Sequence, residues 1–186
     1  MENQKINEKL SMDDLHRISV EEFKLSHKIP MVIVLDNVRS MNNVGSVFRT
    51  ADAFRVAHLY LCGITAQPPH KEIEKTALGA TESVNWSHHH STEEIVKQLI
   101  ENDFQVISVE QTSDSILLSD YIPSFDRKTA FIFGNEVMGV DQSIINLSHK
   151  TLEIPQLGTK HSLNISVSAG IVIWHYFYHI SKKLNL

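Results

Sequence analysis

The sequence predicts an α/β fold with a mostly parallel sheet and helices on both faces. Three observations carry this. Short continuous apolar runs, such as Met31-Val-Ile-Val-Leu35 and Thr129-Ala-Phe-Ile-Phe133, have the character of strands buried on both faces. Segments with apolar residues at helical spacing alternate with them, as at Val44, Val47, Phe48, Ala51 and Phe54. Each run ends in a polar or glycine-bearing loop, which is where open α/β sheets bind ligands.

The chain has 186 residues, 42% hydrophobic and 21% charged, enough for one domain with a real core. Residues 1–29 read as a helical arm. Ser11-Met-Asp-Asp14 and Ser19-Val-Glu-Glu22 both have the form of a helix start, and Met12, Leu15 and Ile18 would share one face. The compact domain runs over 30–186.

A strand over 31–35 leads through the polar loop 36–43 into a helix. A second strand spans Ala57 to Cys62. Lys71 to Leu78 is a short helix stopping at Gly79, and Glu82 to Trp86 a short strand. Ser91 caps a helix bearing Ile95, Leu99 and Ile100, and Phe104 to Val109 is the next strand. Residues 111–127 form a polar linker with a helical turn near Ile116. After the strand 129–133 and its loop 134–139, Asp141 to Leu147 is helical and Thr151 to Ile154 is a strand.

The last helix, capped by Ser162, is apolar on several faces: Leu163, Ile165, Val167, Ala169, Ile171, Val172, Ile173, Trp174 and Phe177. It is expected to be buried nearly all round, in part by a partner chain. Polar groups cluster at its mouth.

The single cysteine, Cys62, lies in an apolar run and reads as a core thiol. The polar N-terminus has no signal-type apolar region, and no stretch is long and apolar enough to span a membrane, so a cytoplasmic location is expected. The net charge of −5 argues against a general nucleic-acid coat and leaves room for a local basic patch. There is no GxGxxG after the first strand and no GxxxxGK[ST], so neither dinucleotide nor P-loop binding is supported. His88-His89-His90 reads as exposed loop, since adjacent histidines do not converge on one ion; no metal is expected. Arg49, six residues after Asn43, could face the loop end of the sheet with it. Glu136 sits between Gly134 and Gly139, where backbone can approach a ligand. Taken alone, Glu136 could equally cap a helix.

Three stretches in this order resemble the motifs of the SpoU/TrmH family of SPOUT RNA methyltransferases. They are Asn42-Asn-Val-Gly-Ser-Val-Phe-Arg-Thr-Ala-Asp52, Phe131-Ile-Phe-Gly-Asn-Glu-Val-Met-Gly139, and Ile154-Pro-Gln-Leu-Gly158 running into Ser162-Leu-Asn-Ile-Ser-Val-Ser168. The likeness covers about residues 31–180. It implies a SPOUT-type fold whose C-terminal part threads a trefoil knot. It also implies methyl transfer from S-adenosylmethionine to a ribose 2′-hydroxyl of tRNA or rRNA by a homodimer; of the two RNAs, a structured tRNA is our mildly preferred expectation.

Carried over by position, the resemblance makes Arg49, Asn43, Glu136, Ser162 and Asn164 the catalytic set. Val109, Glu110, Gln111, Gly134, Ile154, Gly158 and Leu163 would hold the cofactor. Two alternatives remain open: an inactive RNA-binding or assembly factor of the same fold, and a small-molecule hydrolase using Ser162 and His161. The hydrolase lacks a GxSxG elbow.

Overall fold

A computed structural model describes residues 7–11 and 13–184. The reading of Met12 as part of a helical face lies outside the described residues. The arm contributes a 3-10 turn at Asp13–Leu15 and helix α1 (Val20–Leu25). Ser19 and Glu22 close a reciprocal capping box on α1. Phe23 of α1 is buried in the main core, so the arm docks on the domain.

Seven strands form one sheet, β1 (Ile29–Asp36), β2 (Val56–Cys62), β3 (Trp86–His89), β4 (Gln105–Val109), β5 (Ile116–Leu117), β6 (Thr129–Phe133) and β7 (Lys150–Glu153). The order is β3-β2-β1-β6-β4-β7-β5, and every pairing is parallel. The period-two geometry of a strand splits each apolar run between two cores. Met31, Ile33, Leu35, Phe131 and Phe133 face one core. Val32, Val34, Ala130 and Ile132 face the other.

The first core is covered by α1, α2 (Met41–Ala53), α3 (Lys71–Ala77), α4 (Ala80–Ser83) and α7 (Ile165–Leu184). The second is covered by α5 (Thr92–Glu101) and α6 (Gln142–Leu147). Helices on both faces are what a parallel sheet requires. Cys62 is a core thiol: burial first, then the nearby Asp36 charge, push its pKa up to about 12.

Several local expectations are corrected. The stretch predicted as a strand over 82–86 opens with helix α4, and the strand is Trp86–His89. His88 and His89 are therefore partly buried strand residues, not loop. They point to opposite faces, His88 bonding the Gly63 carbonyl (3.1 Å) and His89 the Ser87 hydroxyl (2.8 Å). Helix α3 ends at Ala77, and Leu78, read as its last residue, is the C-cap in the left-handed conformation. In the 111–127 linker, Ile116–Leu117 add an edge strand beside β7, followed by a 3-10 turn.

The final helix starts at Ile165, so Ser162 is not its cap. Asn164 takes that place, its Oδ1 accepting from the Ser166 N–H (2.9 Å) and hydroxyl (2.7 Å). Nor is α7 covered all round in one chain. Ala169, Val172, Ile173, Tyr176 and Ile180 are buried, but Val167, Ile171, Trp174 and Tyr178 form an exposed apolar stripe. One sheet can cover only one side of a helix. No helix among the described residues is long and apolar enough to cross a membrane.

Candidate active site

The C-terminal ends of β4, β6 and β7 open into a cavity of about 470 Å³. Its walls come from three loops, 109–111, 133–139 and 152–165, and their construction is dictated by a few polar residues. The loop after β6 closes on itself. Asn135 and Gly139 exchange both backbone bonds (3.0 and 2.9 Å). The Asn135 Oδ1 accepts from Val137 N and Met138 N, while its Nδ2 donates to the Asn37 carbonyl (2.8 Å).

Glycines permit this fold. Gly139 has φ +71°, and a Cβ there would meet the Glu110 carboxylate at 2.1 Å; a Cβ on Gly134 would meet the Gly139 backbone at the same distance. The Glu110 carboxylate in turn accepts from Val140 N (3.0 Å) and Gln111 N (2.8 Å), pinning the loop after β4 to the loop after β6. Gln111 Nε2 donates to the His161 carbonyl (2.8 Å), which ties in the third loop.

At the edge of the cavity the three motif stretches meet. Glu136 reaches away from its own loop to the start of α2. There its carboxylate accepts from Arg39 N (3.0 Å), Ser40 N (2.9 Å) and Asn43 Nδ2 (3.1 Å). Burial alone would raise the Glu136 pKa. The bonds from Arg39, Ser40, its own N–H and Asn43 outweigh burial and hold it below the ordinary carboxylate range. Asn164 Nδ2 donates to Asn43 Oδ1 (3.1 Å). Asn43 thus sits, buried, between a carboxylate from one loop and the cap of α7 from another.

Val109, Glu110, Gln111, Gly134, Ile154, Leu163, Glu136, Ser162 and Asn164 all line the cavity. Asn43 joins through its two bonds. Two expected residues stand apart. Gly158 is exposed and outside the cavity lining. Arg49 is exposed, and among the described residues its side chain makes no ion pair or hydrogen bond. Six residues of helix carry it roughly 9 Å along α2 and about 120° around it from Asn43, so the two do not face the same way.

Sequence reasoning missed Asn135 as the brace of the second loop and Ser40 as the α2 N-cap, its hydroxyl accepting from Asn43 N. Asn after Gly, with its tendency to bond backbone two residues on, was a readable signal for the first. No group of three or more His, Cys, Asp or Glu side chains among the described residues could hold a metal ion.

The model of the SpoU rRNA methylase family matches residues 30–174. The chain belongs to this family. A relative described as tRNA (guanosine(18)-2′-O)-methyltransferase from Aquifex aeolicus is 28% identical over 150 residues, covering 77% of this chain and 67% of that protein. The 23S rRNA (guanosine-2′-O-)-methyltransferase RlmB of Neisseria meningitidis is 28% identical over 144 residues, and this SpoU-family chain spans 56% of its length. The fold is shared with a solved AdoMet-bound rRNA methyltransferase from Sinorhizobium meliloti. That match has a TM-score of 0.76 at 24% identity and covers 85% of this chain and 60% of that one.

Proposed function

We propose that this SpoU-family chain methylates a ribose 2′-hydroxyl of tRNA or rRNA, tRNA being favoured, with S-adenosylmethionine as donor, and that it does so as a cytoplasmic homodimer. The reading includes the trefoil knot that the resemblance implies for the C-terminal part. The observation that carries it is the Asn164–Asn43–Glu136 chain, which joins all three motif stretches at the rim of one cavity.

The residues present fit the donor. The cavity lies within the roughly 300–1,000 Å³ usual for small-molecule sites. Its wall combines apolar Val109, Leu152, Ile154, Leu163 and Ile165 with polar Gln111, Ser162 and Asn164, which suits a molecule with a flat ring at one end and an amino acid at the other. Val109, Glu110, Gln111, Gly134, Ile154 and Leu163 would hold it. When bound, S-adenosylmethionine supplies an electrophilic methyl group on a sulfonium.

The chain's own residues then have to present the hydroxyl. A ribose hydroxyl is a poor acid, and its proton must be shared or lost as its oxygen attacks. Arg49 is assigned as the donor fork that holds the ribose-phosphate and favours the developing oxyanion, not as the base. Glu136 already accepts from three N–H donors and serves to fix Asn43 and the α2 N-terminus. The homodimer is supported by the exposed Val167, Ile171, Trp174 and Tyr178 stripe, since contiguous apolar surface of this kind marks an interface.

The test is methyl transfer. Total RNA from a strain lacking the gene is incubated with tritiated S-adenosylmethionine and wild type or Arg49→Ala, then separated by size. Label in the tRNA band with wild type alone is expected. Label confined to rRNA discards the tRNA preference. Absence of label, with RNA still bound, favours the inactive-factor reading.

A further inference from the structure

Helix α2 meets α3 at a point where no side chain fits. Gly45 is buried, and a Cβ built on it would lie 2.1 Å from Thr76 Oγ1, 2.3 Å from the Ile73 carbonyl oxygen and 3.1 Å from Ala77 N. Two of these are backbone atoms of α3 that cannot rotate aside. Gly45 has ordinary helical φ, so it is not needed for conformational freedom. In a helix interior it costs about 0.5–1 kcal/mol against alanine. What glycine provides at this position is close approach. The Thr76 hydroxyl completes the contact by donating to the Asn42 carbonyl (3.0 Å) and the Ile73 carbonyl (3.3 Å).

We infer that Gly45 and Thr76 are positioning residues for methyl transfer: together they set the depth of α2 against α3 and thereby aim Asn43 and Arg49. The inference rests on the methyltransferase reading. Gly45 lies two residues from Asn43 and one turn from Arg49, on nearly the same side of the helix as the latter. Any lift of α2 at Gly45 passes directly to both. At its start α2 is held by Glu136, and near its end Ser83 donates a short hydrogen bond to Asp52, so the helix has fixed points on either side of the crossing. Real Cβ atoms keep at least 3.0 Å, so alanine at 45 forces the α2–α3 contact open by about 0.7 Å at the Ile73 carbonyl. Misplacement on the order of 1 Å can cost about 100-fold in rate. No residue of α2 lines the cavity, so donor binding should be spared.

The experiment compares wild type, Gly45→Ala, Thr76→Val, Thr76→Ser, Arg49→Ala and the Gly45→Ala/Arg49→Ala double variant. It measures methyl-transfer kinetics and, by calorimetry, affinity for S-adenosylmethionine. Gly45→Ala should lower kcat about 100-fold while donor affinity stays within about threefold. The double variant should lose less than the product of the two single losses, because Gly45 acts in part through Arg49. Thr76→Val, which keeps the shape and removes the donor, should follow Gly45→Ala in part, and Thr76→Ser should restore the rate. An unchanged kcat in Gly45→Ala overturns the inference. So does a double variant in which the two losses multiply, or a donor affinity that falls in step with kcat.

An inactive wild type would instead count against the methyltransferase reading. A crystal structure of Gly45→Ala then decides the geometry independently. Displacement of α2 with loss of the Asn43–Glu136 bond supports it, and an unmoved helix overturns it.

Discussion

Asn43 Nδ2 donates to Glu136 Oε1 across 3.1 Å, and this bond ties the helix after the first strand to the loop after the sixth, 93 residues later. Around it Glu136 collects two further backbone N–H groups at the entry to α2, that of the N-cap Ser40 and that of Arg39 just before it. The carboxylate therefore behaves as a cap supplied from a distant segment.

This cap gives a pH signature. The Glu136 pKa is lowered on folding, burial acting against and the N–H donors for the shift. Its contribution to stability is therefore present above the unfolded value, near 4.5, and is lost as pH falls through the folded value. Glu136→Gln should cost about 1 kcal/mol at pH 7, a figure kept small by solvent exposure. The gap in melting temperature between wild type and this variant should close as pH is lowered below 4.5. Thermal scans from pH 7 to pH 3.5 check it, and a gap that widens on acidification contradicts the assignment.

Among the described residues exposed Arg49 makes no hydrogen bond or ion pair through its side chain. Arg49→Ala should leave the melting free energy within about 0.5 kcal/mol of wild type yet abolish most methyl transfer. The salt dependence of RNA binding should fall by about one unit of slope, as for loss of one phosphate contact. Arg49→Lys should restore the slope better than the rate, because a single ammonium lacks the planar fork.

Gly139 combines a positive φ with a Cβ position 2.1 Å from the Glu110 carboxylate. Gly139→Ala should destabilise the protein by about 1–3 kcal/mol. By freeing Glu110 it should also weaken S-adenosylmethionine binding, measured by calorimetry. Gly158→Ala is the control: a Cβ there meets nothing within 4 Å, and affinity should not change.

In the proposed homodimer the stripe on α7 is the contact surface. Ile171→Asp and Trp174→Glu should each convert a dimer to a monomer in sedimentation velocity runs, since a charge buried at an apolar contact lacks a partner. A wild type that sediments as a monomer removes the dimer from the reading.

Much of the architecture was legible before any coordinates. The apolar runs at 31–35 and 129–133 emerge as central strands of a wholly parallel sheet, because only strands buried on both faces tolerate such runs. The cap Ser91 acts as read, its hydroxyl accepting from Glu94 N in the first turn of α5. The loops after β4, β6 and β7 were also legible as the place for a site. What failed was local: Glu82 to Trp86 has no strong period, and a four-residue helix and a four-residue strand share it. His88 and His89 were polar enough to read as loop, yet ladder bonding to β2 holds them in the sheet.

The sequence by itself determined the fold class, the family and the three stretches that meet. These depend on periodicity and on residue type at short spacing, which are properties of one segment at a time. Tertiary structure decided the roles. Glu136 could be read as a reactive group or as a cap, and only its partners on Arg39, Ser40 and Asn43 show which helix it caps; Asn164 caps α7 locally, but its bond to Asn43 spans 121 residues. Gly45 looked like an ordinary break in helix propensity until α3 was seen against it. Which donor fills which acceptor, and which backbone touches which, depends on residues 30 to 120 positions apart, and no local pattern in a chain encodes those distances.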